Sequence, residues 1–202
     1  MAGKRIIFAT ANEDKMTEIR QIMEDLGIEV VSMREAGVFL EVEENGTSFE
    51  ENALIKAKAL CEKSGEITLA DDSGLEVDYL NKEPGIYSAR YLGRDTPYSK
   101  KNAYIIDRLK EAVGEERSAR FVCAVAVAFP DGRSEVVRET MEGQIARKEA
   151  GVHGFGYDPI FFLPEYGCTS AELSPGEKNK ISHRGKALRV MKEKLIELKV
   201  LE

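Results

Sequence analysis

The chain has 202 residues, 43% of them hydrophobic and 32% charged, and carries a formal charge of −7. This composition describes a globular domain with a sizeable core, and the negative balance argues against a nucleic-acid backbone as partner. No apolar run approaches a membrane span, and Met1-Ala-Gly-Lys-Arg-Ile6 lacks a signal-peptide core, so one cytoplasmic domain over residues 1–202 is expected.

Strand and helix signals alternate along the chain. Lys4 to Ala9 reads as a strand, and Met16, Ile19, Ile22, Met23 and Leu26 then share one helical face before Gly27 stops the helix. A second strand is expected over Ile28 to Met33. Ser48-Phe49-Glu50-Glu51 has the spacing of a capping box and opens a helix with Ala53, Leu54, Ala57, Leu60 and Cys61 inward, ended by Gly65. Ile67 to Ala70 reads as a short strand running into a turn at Asp71-Asp72-Ser73-Gly74, with a further strand over Leu75 to Tyr79. Thr96-Pro97 precedes a helix with Tyr98, Ile105, Ile106, Leu109 and Val113 apolar and Gly114 as its stop. Arg120 to Phe129, Pro130-Asp131-Gly132 and Ser134 to Met141 form a predicted hairpin. Ile160 to Leu163 is a last strand, and an amphipathic helix runs from Gly185 to Leu198. The hairpin rules out a purely parallel sheet, so the fold class is α/β with a mixed sheet. Cys61, Cys123 and Cys168 are odd in number and far apart, which fits neither a disulfide framework nor zinc spacing and leaves them as buried apolar fillers.

Four polar clusters stand out from this pattern. Ser174 to Lys186 gathers four cations and a His183-Arg184 pair, a set that calls for a small anion such as phosphate. Thr10-Ala11-Asn12-Glu13-Asp14-Lys15 places a strand, a polar turn and a helix start in succession, so free backbone N–H groups and the helix dipole face one point that Lys15 can also reach. Asp71-Asp72 at the end of a strand needs a cation, and magnesium held by one or two carboxylates and a ligand's phosphates meets that need, with Glu41, Glu43 or Glu44 able to complete the set. Phe155-Gly156-Tyr157-Asp158 offers aromatic faces for a purine and glycine for close backbone approach. Each cluster also has a plain structural reading: a helix cap, a turn, a solvated charge run, core packing.

In their order, Thr10 to Lys15, Ser48 to Ala53 with Lys56, Ala70 to Leu75, Pro84-Gly-Ile-Tyr-Ser-Ala-Arg90, Gly154 to Phe161 and Ser182-His-Arg-Gly185 resemble the inosine triphosphate pyrophosphatase family over essentially the whole chain. Ala11, where the family has glycine, and Gly176, where an acidic residue is commoner, depart from its pattern. The resemblance implies hydrolysis of ITP, dITP and XTP to the monophosphate and pyrophosphate with Mg2+. It implies Thr10, Ala11, Asn12, Glu13, Asp14, Lys15, Lys56 and Lys178 at the triphosphate, with Asp72 as proton acceptor and metal ligand and Ser73 at the substrate. Glu43 or Glu44 would be the second metal ligand, Phe155, Gly156, Tyr157 and Asp158 would hold the base, and His183 and Arg184 would read its 6-keto edge. It also implies an elongated mixed β-sheet flanked by helices, two lobes with the active-site cleft between them, and a homodimer; charge and hydropathy lead to the expectation of neither nucleic acid nor membrane as partner. A Maf-like pyrophosphatase of other nucleotides and a non-catalytic nucleotide-binding module are the alternatives; the Phe-Gly-Tyr-Asp block opposes the first and the paired aspartates the second.

Overall fold

The computed structural model describes residues 5–10, 12–24 and 27–198. Its sheet has seven strands, β1 (Arg5–Phe8), β2 (Glu29–Ser32), β3 (Thr68–Val77), β4 (Ser118–Ala128), β5 (Ser134–Ile145), β6 (Phe161–Leu163) and β7 (Cys168–Thr169). Hydrogen-bonded neighbours run in the order β2-β1-β3-β4-β5-β6-β7. The β1 strand pairs parallel with β2 and β3, whereas β6 pairs antiparallel with β5 and β7, so the sheet is mixed as expected. The helices are α1 (Glu13–Met23), α2 (Phe49–Ser64), α3 (Tyr98–Arg108), α4 (Pro175–Ile181) and α5 (His183–Glu197).

The chain forms two compact units. One takes the described parts of residues 1–72, 123–139 and 184–202, the other residues 73–122 and 140–183. In the first unit, strand alternation divides the apolar residues between two faces. Ile6 and Phe8 of β1, with Cys123, Val125 and Val127 of β4, meet Met16, Ile19 and Met23 of α1 and Leu188, Met191 and Leu195 of α5. Ile7, between Ile6 and Phe8, joins Val31 and Leu60 of α2 in a separate cluster. Leu26, expected on the α1 face, lies outside the described residues. The second unit packs Leu75 and Val77 of β3, Ile105 of α3, Phe121 of β4, Ile145 of β5 and Phe161 of β6 into its own core.

Five expectations are corrected. Strand β3 runs unbroken through Asp71-Asp72-Ser73-Gly74, where a turn was expected; pairing in the sheet overrides the local turn signal. The α3 helix ends at Arg108 rather than at Gly114, which opens a 3-10 turn, and Val113 is exposed. Ser48 caps α2 by accepting from Glu51 N, but the Glu51 carboxylate reaches back to Thr47 N at 2.6 Å, one residue beyond the expected box. The Ser174-Pro175-Gly176-Glu177 capping box opens a separate seven-residue helix, α4, and α5 begins at His183. Cys61 and Cys123 are buried, but Cys168 is half-buried; all three are free.

Candidate active site

Both aspartates lie within β3, and alternation along the strand gives them different partners. Asp71, 1% exposed, faces Lys15 Nζ at 3.1 Å and Arg184 Nε at 3.4 Å. Arg184 is itself buried and donates from Nη1 to Glu18 Oε2 at 2.6 Å. Burial works against ionisation of Asp71, but the charges of Lys15, Arg184 and Lys56 outweigh it and hold the carboxyl well below the usual carboxylate range.

Asp72 meets a different set. Asn52 Nδ2 donates to its Oδ2 at 3.1 Å, and Lys56 Nζ lies 3.7 Å from its Oδ1 while bonding Glu44 Oε1 at 2.7 Å. Burial raises its pKa to about 6, the charges of Glu44 and Asp71 adding to that while Lys56 and the Asn52 amide oppose it. Asn52 and Lys56 share the inner face of α2 because they stand four residues apart. The Asn52 side chain is fully buried, and its Oδ1 accepts from Gly46 N at 2.9 Å. One amide therefore ties the Glu44 loop to the Asp72 strand. A buried amide at the start of a helix with no charge to mark it gave no sequence signal beyond its place in the Ser48 to Ala53 block.

Of the acids before α2, Glu41 and Glu43 are exposed and Glu44 alone converges on Asp72. Among the described residues no three His, Cys, Asp or Glu side chains gather as a ready metal cage. The donor chemistry still fits magnesium, which takes one or two carboxylates and completes its shell with phosphate oxygens and water. The structure places the turn after β1 as expected: Asn12 N donates to Thr10 Oγ1 at 3.1 Å and Lys15 N to Asn12 Oδ1 at 3.2 Å, so Asn12 caps α1. Glu13 is exposed. Ala11 and the Asp14 side chain lie outside the described residues.

The second unit carries the aromatic loop. Asp158, 2% exposed, accepts from Phe155 N at 2.8 Å, Lys178 Nζ at 2.6 Å and Ser170 Oγ at 2.7 Å. Lys178, in the second unit, also lies 5.3 Å from the Phe155 ring centroid. Gly154 and Gly156 have φ of 75° and 69°, left-handed values that glycine adopts freely. Phe155 is half-buried, but Tyr157 is 4% exposed: its hydroxyl donates to Ser88 O at 2.8 Å and its ring meets Tyr98 edge-on at 5.1 Å. Tyr157 is thus an anchor, whereas Phe155 is half-buried with Lys178 over its ring. His183 stacks on Phe121 at 4.9 Å. Ser73 is half-buried on β3.

A mixed-sheet α/β protein with lysine-compensated acids on its central strand and an Asp-pinned aromatic loop is the class that emerges. The Ham1 family profile matches residues 6–194. The chain is 45% identical over 186 residues to a protein of Bacillus licheniformis named dITP/XTP pyrophosphatase, covering 92% of this chain and 95% of that one. It is 46% identical over 198 residues to a protein of the same name from Clostridium perfringens, with 95% and 97% covered. A solved HAM1 protein structure from Coxiella burnetii superposes with a TM-score of 0.88 at 39% identity, covering 96% of this chain and 99% of that chain. The chain belongs to the Ham1 family.

Proposed function

We propose that this protein is a nucleoside triphosphate pyrophosphatase that hydrolyses the deaminated purine nucleotides dITP, ITP and XTP to the monophosphate and pyrophosphate, with Mg2+ as cofactor. The observation that carries the reading is Asp72: a buried carboxyl of pKa about 6, hydrogen-bonded by Asn52 and set beside Lys56 and Glu44. It lies in a chain 45% identical to an enzyme named for this activity.

A general base works best with a pKa near the operating pH; burial moves metal-free Asp72 up in that direction, and bound Mg2+ would keep it ionised and able to take a proton from water. Water adds to phosphorus at the α–β bridge, its proton passes to Asp72, and the bridging P–O bond breaks to release pyrophosphate. Lys15 and Lys56 neutralise the phosphates, and the Asn12 turn offers N–H donors at the start of α1. Glu44 and Asp72 would hold Mg2+, which supplies charge neutralisation at the phosphates and a lowered pKa for bound water. Phe155 stacks on the base, and Lys178 belongs with it. Donors near His183 satisfy a 6-keto oxygen, whereas adenine would oppose them with an amino group. Arg184 serves the acid pair through Asp71. The protein acts in the cytoplasm as a homodimer and takes no nucleic acid.

A panel of nucleoside triphosphates with Mg2+, read separately for pyrophosphate and orthophosphate, tests this reading. Pyrophosphate from ITP, dITP and XTP, lost with chelator and restored by Mg2+, is expected. Stoichiometric orthophosphate with a nucleoside diphosphate would overturn it.

A further inference from the structure

Helix α3 buries two polar side chains that the reaction just described does not use. Lys101 is 1% exposed, with Nζ donating to Ala89 O at 2.7 Å and lying 4.7 Å over the Tyr98 ring. Asn102 is 2% exposed, and its Nδ2 donates to Glu149 Oε1 at 2.8 Å and, at 3.4 Å, to Gly156 O. Both partners are acceptors, which fixes the orientation of the amide. Among the described residues its buried Oδ1 has no hydrogen-bond partner, a cost that an apolar residue of the same size would avoid.

Three consecutive loop residues are therefore each held at a polar atom, one from within the loop and two from outside it. Phe155 N is held by Asp158, Gly156 O by Asn102, and the Tyr157 hydroxyl by Ser88 O. Gly156 sits at φ 69° with the Tyr98 ring 3.5 Å from where a Cβ would be, so α3 packs directly beneath it. Holding the Gly156 carbonyl fixes the plane of the peptide that follows, and with it the heading of the Tyr157 N–H, because the peptide is planar and trans. A backbone donor of fixed heading is what reads a keto oxygen on a base.

We propose that Asn102 is a positioning residue for substrate selection: it sets the Phe155–Asp158 loop, and through the 156–157 peptide it sets the fit of a keto-purine. The inference rests on the proposal above that this loop meets the base. Lys101 supports the same arrangement from the preceding position by holding the Ala89 backbone beside Ser88.

The test uses the full chain with Asn102→Ala, and with Glu149→Ala as a second variant whose exposed position spares the fold. Losing one hydrogen bond of this kind should raise KM for ITP roughly two- to tenfold with kcat within about twofold, and more for Asn102→Ala than for Glu149→Ala. Inhibition by inorganic tripolyphosphate, which has no base, should not change. Amide hydrogen exchange of Phe155 and Tyr157 should quicken in both variants without any nucleotide present. Equal losses toward ITP and tripolyphosphate, or unchanged exchange in the loop, would overturn the inference. If the wild-type chain turns over no nucleoside triphosphate, the proposed activity fails, while the exchange measurement still decides whether Asn102 holds the loop.

Discussion

Asp71 and Asp72 are adjacent in one strand, yet the first is held ionised by Lys15 and Arg184 while the second is pushed up to about 6. The strand repeat sends the two side chains in opposite directions, so each meets a different set of charges. The pair differs accordingly: Asp71 pairs with cations of α1 and α5, and Asp72 is the one whose protonation change burial moves toward neutral pH.

The opposite shifts give opposite pH dependences. Asp72 has a folded pKa above its unfolded value, so its contribution to stability is present on the acid side and is lost as pH rises from about 4 to 6. Asp71 is depressed, so its contribution is present above about pH 4 and is lost as pH falls below it. NMR titration of metal-free protein should find Asp72 near 6, and kcat/KM should fall about tenfold per pH unit below that midpoint. Added Mg2+ should move the acid limb to lower pH, because a cation favours the carboxylate. A metal-free Asp72 titrating near 4 would count against its role as base.

Asp72→Asn should cut turnover by roughly a hundredfold to ten-thousandfold, the usual worth of a general base, with the fold kept. The asparagine oxygen can still accept from Asn52, and a carboxylate disfavoured by burial is removed, so the melting temperature at pH 8 should not fall. Near-normal turnover at saturating Mg2+ would transfer the base role to another acid.

Arg184→Ala should act on stability before selectivity. It leaves Asp71 and Glu18 without their shared cation, and breaking a buried ion pair by removing one partner costs about 3 to 5 kcal/mol. Urea unfolding measures this directly. A loss below about 1 kcal/mol, the value of a surface pair, would place Arg184 outside the network.

Gly154→Ala should disable the aromatic loop. Its Cβ would fall 2.2 Å from Asp158 Oδ2 and 3.1 Å from Lys178 Nζ, at a φ of 75°. The backbone alone costs about 1 to 2 kcal/mol for an L residue there, and relief of the clash must pull Asp158 from Phe155 N. A rise in KM for ITP larger than the fall in kcat is the expected signature. An unchanged KM would mean that Asp158 does not set the loop.

Much of this molecule was legible because local signals agreed with the fold. The Met16, Ile19 and Met23 repeat, the Ser48 cap, the Gly65 stop and the hairpin at Pro130 all describe neighbours in sequence. The strand through Asp71 to Gly74 was not legible, because residues that favour a turn were overruled by pairing partners far along the chain. Helix α4 has a readable cap, but seven residues are too few for periodicity to reveal. In the site, residue types marked the polar clusters but not their pairings. Lys178 and Arg184 stand six residues apart in one basic stretch, and only packing sends one to Asp158 and the other, across 113 positions, to Asp71. Glu44 is distinguished from Glu43 by its bond to Lys56, and Asn52 by its burial between Gly46 and Asp72.

The three thiols differ enough in environment to act as a chemical gauge of unfolding. Cys123 is wholly enclosed with its pKa pushed up to about 12, and Cys61 is buried, whereas Cys168 on the short strand β7 is half-buried. An alkylating reagent applied to the native protein should therefore find one site. Uptake of a second and third label would report opening of the first unit's interior, so mass spectrometry alone could follow how each substitution above alters the lifetime of the folded state.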